Sequence, residues 1–123
     1  MLVGDGNLGF ELANRGVDLA RRLSDPITEG NGLRVRALAR AAGEDQWAET
    51  IADLENALRL AADTGNLLLE AEVNRDFGRL LAKRKDWPAA RDYLATACKL
   101  LENLGARAQL TALREEMERL PAA

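Results

Sequence analysis

The side chains in this chain that could do chemistry are few, and each stands apart from the partners that its chemistry needs. The sequence holds no histidine, one serine, Ser24, and one cysteine, Cys98. A hydroxyl or thiol nucleophile works only with a base in hydrogen-bond reach and a further group that orients the base. Ser24 lies beside a predicted helix end with no imidazole to serve it. Cys98 follows the helix position Ala97 and reads as a small buried hydrophobe, because thiolate activation needs an electropositive, partly exposed setting. A lone thiol forms no internal disulfide, and it offers zinc one ligand where a structural site takes four. Glu115, Glu116 and Glu118 could hold a hard cation, but Arg114 and Arg119 flank them on a helix whose other face is apolar, the pattern of a solvated face. Gly4, Gly6 and Gly9 spell the glycine fingerprint of dinucleotide-binding folds. That fingerprint functions only between a strand and a helix. Three residues precede it here and no strand is predicted after it, so it reads as a flexible leader. The expectation is a chain with no catalytic residue, no cofactor and no metal.

The elements that carry these side chains are helices. Ala, Leu, Glu and Arg dominate, aromatic residues are 4% and there are 3 prolines, a balance that favours helix over sheet. The 123 residues fit a single domain, 1–123. A net charge of -3 supplies no basic field for a nucleic-acid backbone, so no nucleic acid is expected as a partner. No apolar run approaches the ~20 residues that cross a bilayer, and no N-terminal stretch has the build of a targeting signal. The expected setting is the cytoplasm, away from membranes.

An internal repeat organises the chain. Trp47 and Trp87 lie 40 residues apart, and the same offset carries Asp53 to Tyr93, Leu54 to Leu94, Ala57 to Ala97 and Gly65 to Gly105. The shared template is an aromatic, then a small residue, a branched aliphatic and an alanine at helical steps. Its copies are Trp47, Thr50, Leu54, Ala57 and Trp87, Ala90, Leu94, Ala97. A third, Phe10, Ala13, Val17, Ala20, precedes the first by 37 residues. Steps of three and four return to one side of a helix, so each copy presents a small waist where a neighbouring helix can come close. Between the copies lie further apolar faces, Leu33, Ala37, Leu38 and Ala41 in one helix and Leu69, Val73, Phe77, Leu80 and Leu81 in the next.

Breaks divide the chain into six predicted helices, over 7–24, 31–43, 45–63, 66–84, 87–103 and 106–120. Pro26 with Gly30, Asn31 and Gly32 reads as the first break, and Gly43, Glu44 and Asp45 as the second. Thr64–Gly65–Asn66 closes the third helix, Pro88 suits the start of the fifth, and Gly105 closes it.

Phe77, Gly78 and Leu81, followed by Ala90 and Leu94, resemble the tetratricopeptide repeat signature. Asn74 stands where that signature has tryptophan, and Glu102 where it has proline. The resemblance covers two repeats, 31–64 and 66–104, with 7–24 as a half repeat and 106–120 as a C-terminal capping helix. The 40-residue period and the ending Leu101–Arg107 are similar to the longer variety found in bacterial regulatory ATPases and transcription activators. The fold this implies is all-α, a right-handed superhelical stack of antiparallel helix pairs. The implied function is non-catalytic: a protein-protein interaction module that takes a peptide or protein segment in a concave groove.

In such arrays the first helix of each pair lines the groove, so the resemblance points to helices two and four. Their outward faces carry Val35, Ala39 and Ala42 on one, and Arg75, Arg79 and Lys83 on the other. One apolar and one basic wall would suit an acidic or amphipathic segment. Glu72 and Asp76 lie at helical spacing from the three cations, so the row could equally be an internally paired surface. Helix one, with no helix before it, should leave an apolar flank open. Either the chain is a piece of a longer array or a second copy closes that flank, which would make it a homodimer; the role is then an oligomerisation scaffold or the sensor arm of a larger regulator.

Overall fold

The computed structural model describes residues 3–43 and 46–122, with side chains from Leu8 onward. Among them are six helices and no strand: α1 Val3–Arg22, α2 Pro26–Ala41, α3 Trp47–Thr64, α4 Leu67–Lys83, α5 Trp87–Leu104 and α6 Arg107–Glu118. None of these helices is long and apolar enough to cross a membrane. The chain divides into two compact units, Met1–Leu69 and Glu70–Ala123, with the division one turn into α4.

In the first unit α1, α2 and α3 pack side by side. Close contacts join Arg21 to Glu29, Asn14 to Arg36 and Phe10 to Arg40. One residue number falls as the other rises, so α1 and α2 run antiparallel. Arg36 with Asp53 and Arg40 with Gln46 give the same result for α2 and α3. Val17, Leu33, Ala37, Leu54, Ala57 and Ala61 are fully buried between them. In the second unit Ala71, Leu94, Ala97, Cys98, Leu101, Leu110 and Leu113 form one apolar cluster, with Met117 and Leu120 against it. The template therefore falls where helices meet. All six waist positions, Ala13, Ala20, Thr50, Ala57, Ala90 and Ala97, are buried, while Phe10, Trp47 and Trp87 are half-buried.

Helix ends follow local chemistry. Gly65 and Gly105 take left-handed backbone, with φ of 68° and 73°, and their N–H groups return to the last carbonyls of α3 and α5. Asp86 caps α5 by accepting from the Ala89 N–H, with proline in the first turn.

Two expectations fail at the start of the chain. Helix α1 begins at Val3, so Gly4, Gly6 and Gly9 lie inside a helix where a flexible leader was expected. The segment Pro26–Gly32, expected as a break, is the first half of α2. Pro26 opens that helix, where its missing donor costs nothing. Asp25 caps it: Oδ2 accepts from the Thr28 hydroxyl at 2.6 Å and Oδ1 from the Thr28 N–H at 3.2 Å. These bonds, the hydroxyl's first, hold the Asp25 carboxyl below its ordinary range. Gly30 and Gly32 serve close approach instead of a turn. A Cβ on Gly30 would stand 2.7 Å from Leu69 Cδ2, and one on Gly32 would stand 2.9 Å from Val17 Cγ2. Glu44 and Asp45, part of the second expected break, lie outside the described residues.

The same device sets the contact between α4 and α5. A Cβ on Gly78 would lie 2.6 Å from Leu94 Cγ and 3.1 Å from the Ala90 carbonyl oxygen, so neither a branched carbon nor a backbone can easily yield. Gly78→Ala should lower stability by about 1–3 kcal/mol through overpacking, read by urea unfolding. In a Leu94→Ala background the added methyl group should cost less, because the two leucine carbons it strikes hardest are gone and of the three contacts only the Ala90 carbonyl oxygen remains. Equal costs in both backgrounds would contradict the close approach.

Candidate functional site

The residues expected to line a groove fall in both units. On α2, in the first unit, Val35 is 44% exposed, Ala39 is half-buried, and Ala42 is exposed just past the helix end. Leu38, expected on the packing face, is instead 37% exposed. The reason is angular: at 100° per residue, Leu38 lies nearer to Val35 and Ala42 than to the buried Leu33 and Ala37. Positions 35, 38, 39 and 42 thus form one outward stripe at helical steps.

On α4, in the second unit, the basic row is engaged in the fold. Arg79 forks onto Glu116 of α6, with Nε to Oε2 at 2.9 Å and Nη2 to Oε1 at 2.9 Å. The hydrogen bond to Glu116, and then its charge and that of Asp76, push the Arg79 guanidinium up from its ordinary range against the opposing effect of burial. Arg75 Nε donates to the buried Asp76 at 3.2 Å. Lys83 is exposed. Glu116, read from sequence as part of a solvated acidic face, is therefore an interhelical anchor, while Glu115 and Glu118 are exposed.

The most concentrated polar arrangement was not singled out from the sequence. Asp53 of α3 is 4% exposed, and two arginines of α2 converge on it. Arg36 Nη2 donates to Oδ1 at 2.8 Å and Nε to Oδ2 at 3.1 Å, while Arg40 Nε donates to Oδ2 at 2.9 Å. Two further donors find partners as well. Arg36 Nη1 donates to Asn14 Oδ1 of α1 at 2.6 Å and Arg40 Nη1 to Gln46 Oε1 at 3.2 Å, and the Arg40 guanidinium lies 4.9 Å from the centre of the Phe10 ring. The bond to Asp53 is the main cause that raises Arg36 above its ordinary range, with burial opposing it and Asp53 and Asp18 adding by charge. A bidentate fork plus a second arginine occupies most of the acceptor directions of one carboxylate. Chemically, this arrangement fixes three helices in register.

A signal for this cluster was present. Asp53 matches Tyr93 at the 40-residue offset, so a charged residue occupies a register that is aromatic in the other copy. In the second unit Tyr93 stacks on Phe77, with centroids 4.1 Å apart and planes inclined by 17°. A charge at a packing register needs a partner, and α2 offers Arg36 and Arg40.

The thiol has a packing role here. Cys98 is buried, its Sγ lies 3.7 Å from Met117 Sδ, and burial is the main cause that pushes its ionisation up. At the turn between α5 and α6 an open groove of about 460 Å³ is lined by Leu101, Leu110, Arg107, Arg114 and Glu102 among others. Arg114 and Glu102 approach to 3.5 Å there. Among the described residues no three Cys, Asp or Glu side chains converge as a metal site would require. Comparison with protein-family models, curated proteins and solved structures gives no match to this chain.

Removing one member of the buried cluster should cost far more than removing all of it. Asp53→Ala leaves two partly buried arginines without their acceptor and should lower stability by about 3–5 kcal/mol. Replacing the three together, Arg36→Met, Arg40→Met and Asp53→Leu, should recover most of that loss in chemical denaturation. A triple variant as unstable as Asp53→Ala would contradict this account of the cluster.

Proposed function

We propose that this chain is a non-catalytic protein-interaction module of the tetratricopeptide type, and that α2 supplies its docking face. One observation carries the reading: Val35, Leu38, Ala39 and Ala42 lie at steps of three, one and three on one side of α2, with both large apolar side chains exposed. The opposite side of α2 is committed, with Leu33 and Ala37 buried and Arg36 and Arg40 held by Asp53. An outward apolar stripe on a helix clamped from behind suits the apolar side chains of an amphipathic segment. The pairing of Arg75 with Asp76 and of Arg79 with Glu116 places the weight on this apolar wall. Regulatory proteins of the cytoplasm are the setting that the resemblance suggests.

The test uses a random-peptide display library panned against the full chain. Segments with paired apolar side chains should be enriched, and Val35→Asp with Leu38→Asp should weaken them at least about tenfold, or 1.4 kcal/mol. Enriched peptides that bind the Val35/Leu38 variant as tightly as the parent would overturn the α2 face.

A further inference from the structure

The two halves of α2 are unequal in what makes them helical. Residues 26–32 include Pro26, Ile27, Thr28 and Asn31, with glycine at 30 and 32, all weaker helix formers than alanine or leucine. From Leu33 to Ala41 the sequence is leucine, arginine and alanine with one valine. The largest apolar side chain of the first half, Ile27, is 41% exposed. That half is held by the Asp25 cap on Thr28, by an ion pair from Arg21 to Glu29, and by the close seating of Gly30 on Leu69 and of Gly32 on Val17. A segment with few buried apolar side chains opens at a lower free energy than the whole fold.

The same half contains the only Asn–Gly step in the sequence, Asn31–Gly32. With no side chain on the second residue, its nitrogen is unshielded and reaches the asparagine Cγ wherever the backbone is free to turn. Inside α2 it is not free. Helical side chains lean toward the N-terminus, and Asn31 is tied that way, with Nδ2 donating to the Ile27 carbonyl at 3.4 Å. Its Oδ1 accepts from Arg34 Nη2 at 3.4 Å. The Gly32 nitrogen lies on the C-terminal side of Asn31, with its N–H along the helix axis.

We propose that Asn31 is a modification site gated by α2: the folded helix keeps it intact, and local opening of residues 26–32 lets it deamidate. The Gly32 nitrogen gives its proton to base and bonds to Asn31 Cγ. The Cγ–Nδ2 bond breaks, and Nδ2 leaves as ammonia after taking a proton from water. Water then opens the cyclic imide. Cleavage of the new bond to Cγ yields aspartate, and cleavage at the main-chain carbonyl yields isoaspartate, whose chain runs through Cγ. No oxidant or cofactor takes part. Aspartate at 31 leaves the backbone as it was and still accepts from Arg34. Isoaspartate adds a carbon to the main chain and interrupts α2 between its cap and the seat of Gly32 on Val17. The site does not depend on the α2 docking face, so either proposal can fail alone.

The full chain, incubated in mildly alkaline buffer with and without denaturing urea, is read by peptide mass spectrometry. In urea Asn31 should deamidate faster than any other asparagine and give both products. In native buffer it should react at least about a hundredfold more slowly, equivalent to about 2.8 kcal/mol of opening free energy. Asp25→Ala removes the cap of α2 and should speed the native reaction about fivefold. Gly105→Ala strains the left-handed turn after α5 to a similar degree. That turn belongs to the other unit, so the native rate at Asn31 should not change. An Asn31 that survives urea would overturn the site, and equal rates in urea and native buffer would overturn its protection by the helix. Equal acceleration by the two variants, or none by Asp25→Ala, would overturn the local gate.

Discussion

How deeply one helix settles on another in this chain is set at a few small residues. Ala13 and Ala20 flank Val17, Thr50 and Ala57 flank Leu54, and Ala90 and Ala97 flank Leu94, and all nine are buried. A small side chain at the crossing point lets a neighbouring helix come close, and the aliphatic residue between two of them gains contacts on every side. Glycines on the facing helices take the approach further: Gly32 against Val17 and Gly78 against Leu94 each stand where a methyl group would collide. Burial of Leu33, Ala37, Leu101 and Leu113 follows from that closeness.

Given this packing, the register must be fixed, and the two units fix it differently. In the first, the carboxylate of Asp53 gathers Arg36 and Arg40, which also reach Asn14 of α1 and Gln46 ahead of α3. Such a cluster tolerates little sliding, because any shift leaves a buried charge without its partner. In the second, Tyr93 and Phe77 stack at the matching register, and the fork from Arg79 to Glu116 ties α4 to α6. The residues best suited to chemistry are thereby employed in holding helices together. Large apolar side chains also remain exposed: Val35 and Leu38 on α2, and Leu8, Leu12 and Leu19 on α1.

Much of this was legible in the sequence because packing has a period. The template marked the buried residues of α1, α3 and α5, and glycine marked the ends of α3 and α5, where left-handed backbone is needed. The start of α2 was misread because proline and glycine carry two meanings. Pro26 opens a helix capped by Asp25, and Gly30 and Gly32 are inside it for clearance. Local spacing cannot show which neighbour a glycine must clear. Leu38 was misassigned because an apolar residue at the edge of a stripe belongs to either face. The partners of Asp53 and Arg79 were missed for a similar reason: they lie 13, 17 and 37 residues away in sequence, beyond the reach of helical periodicity. The mismatch of Asp53 with Tyr93 was the readable trace.

The central claim, that each unit is held by one recurring packing register, is tested most directly by native-state hydrogen exchange. Amides around Leu54 in α3 and Leu94 in α5 should be among the slowest to exchange, near the limit set by global unfolding, while the ends of α1 and α6 exchange early. Exchange around Leu54 or Leu94 as fast as at those ends would contradict the account.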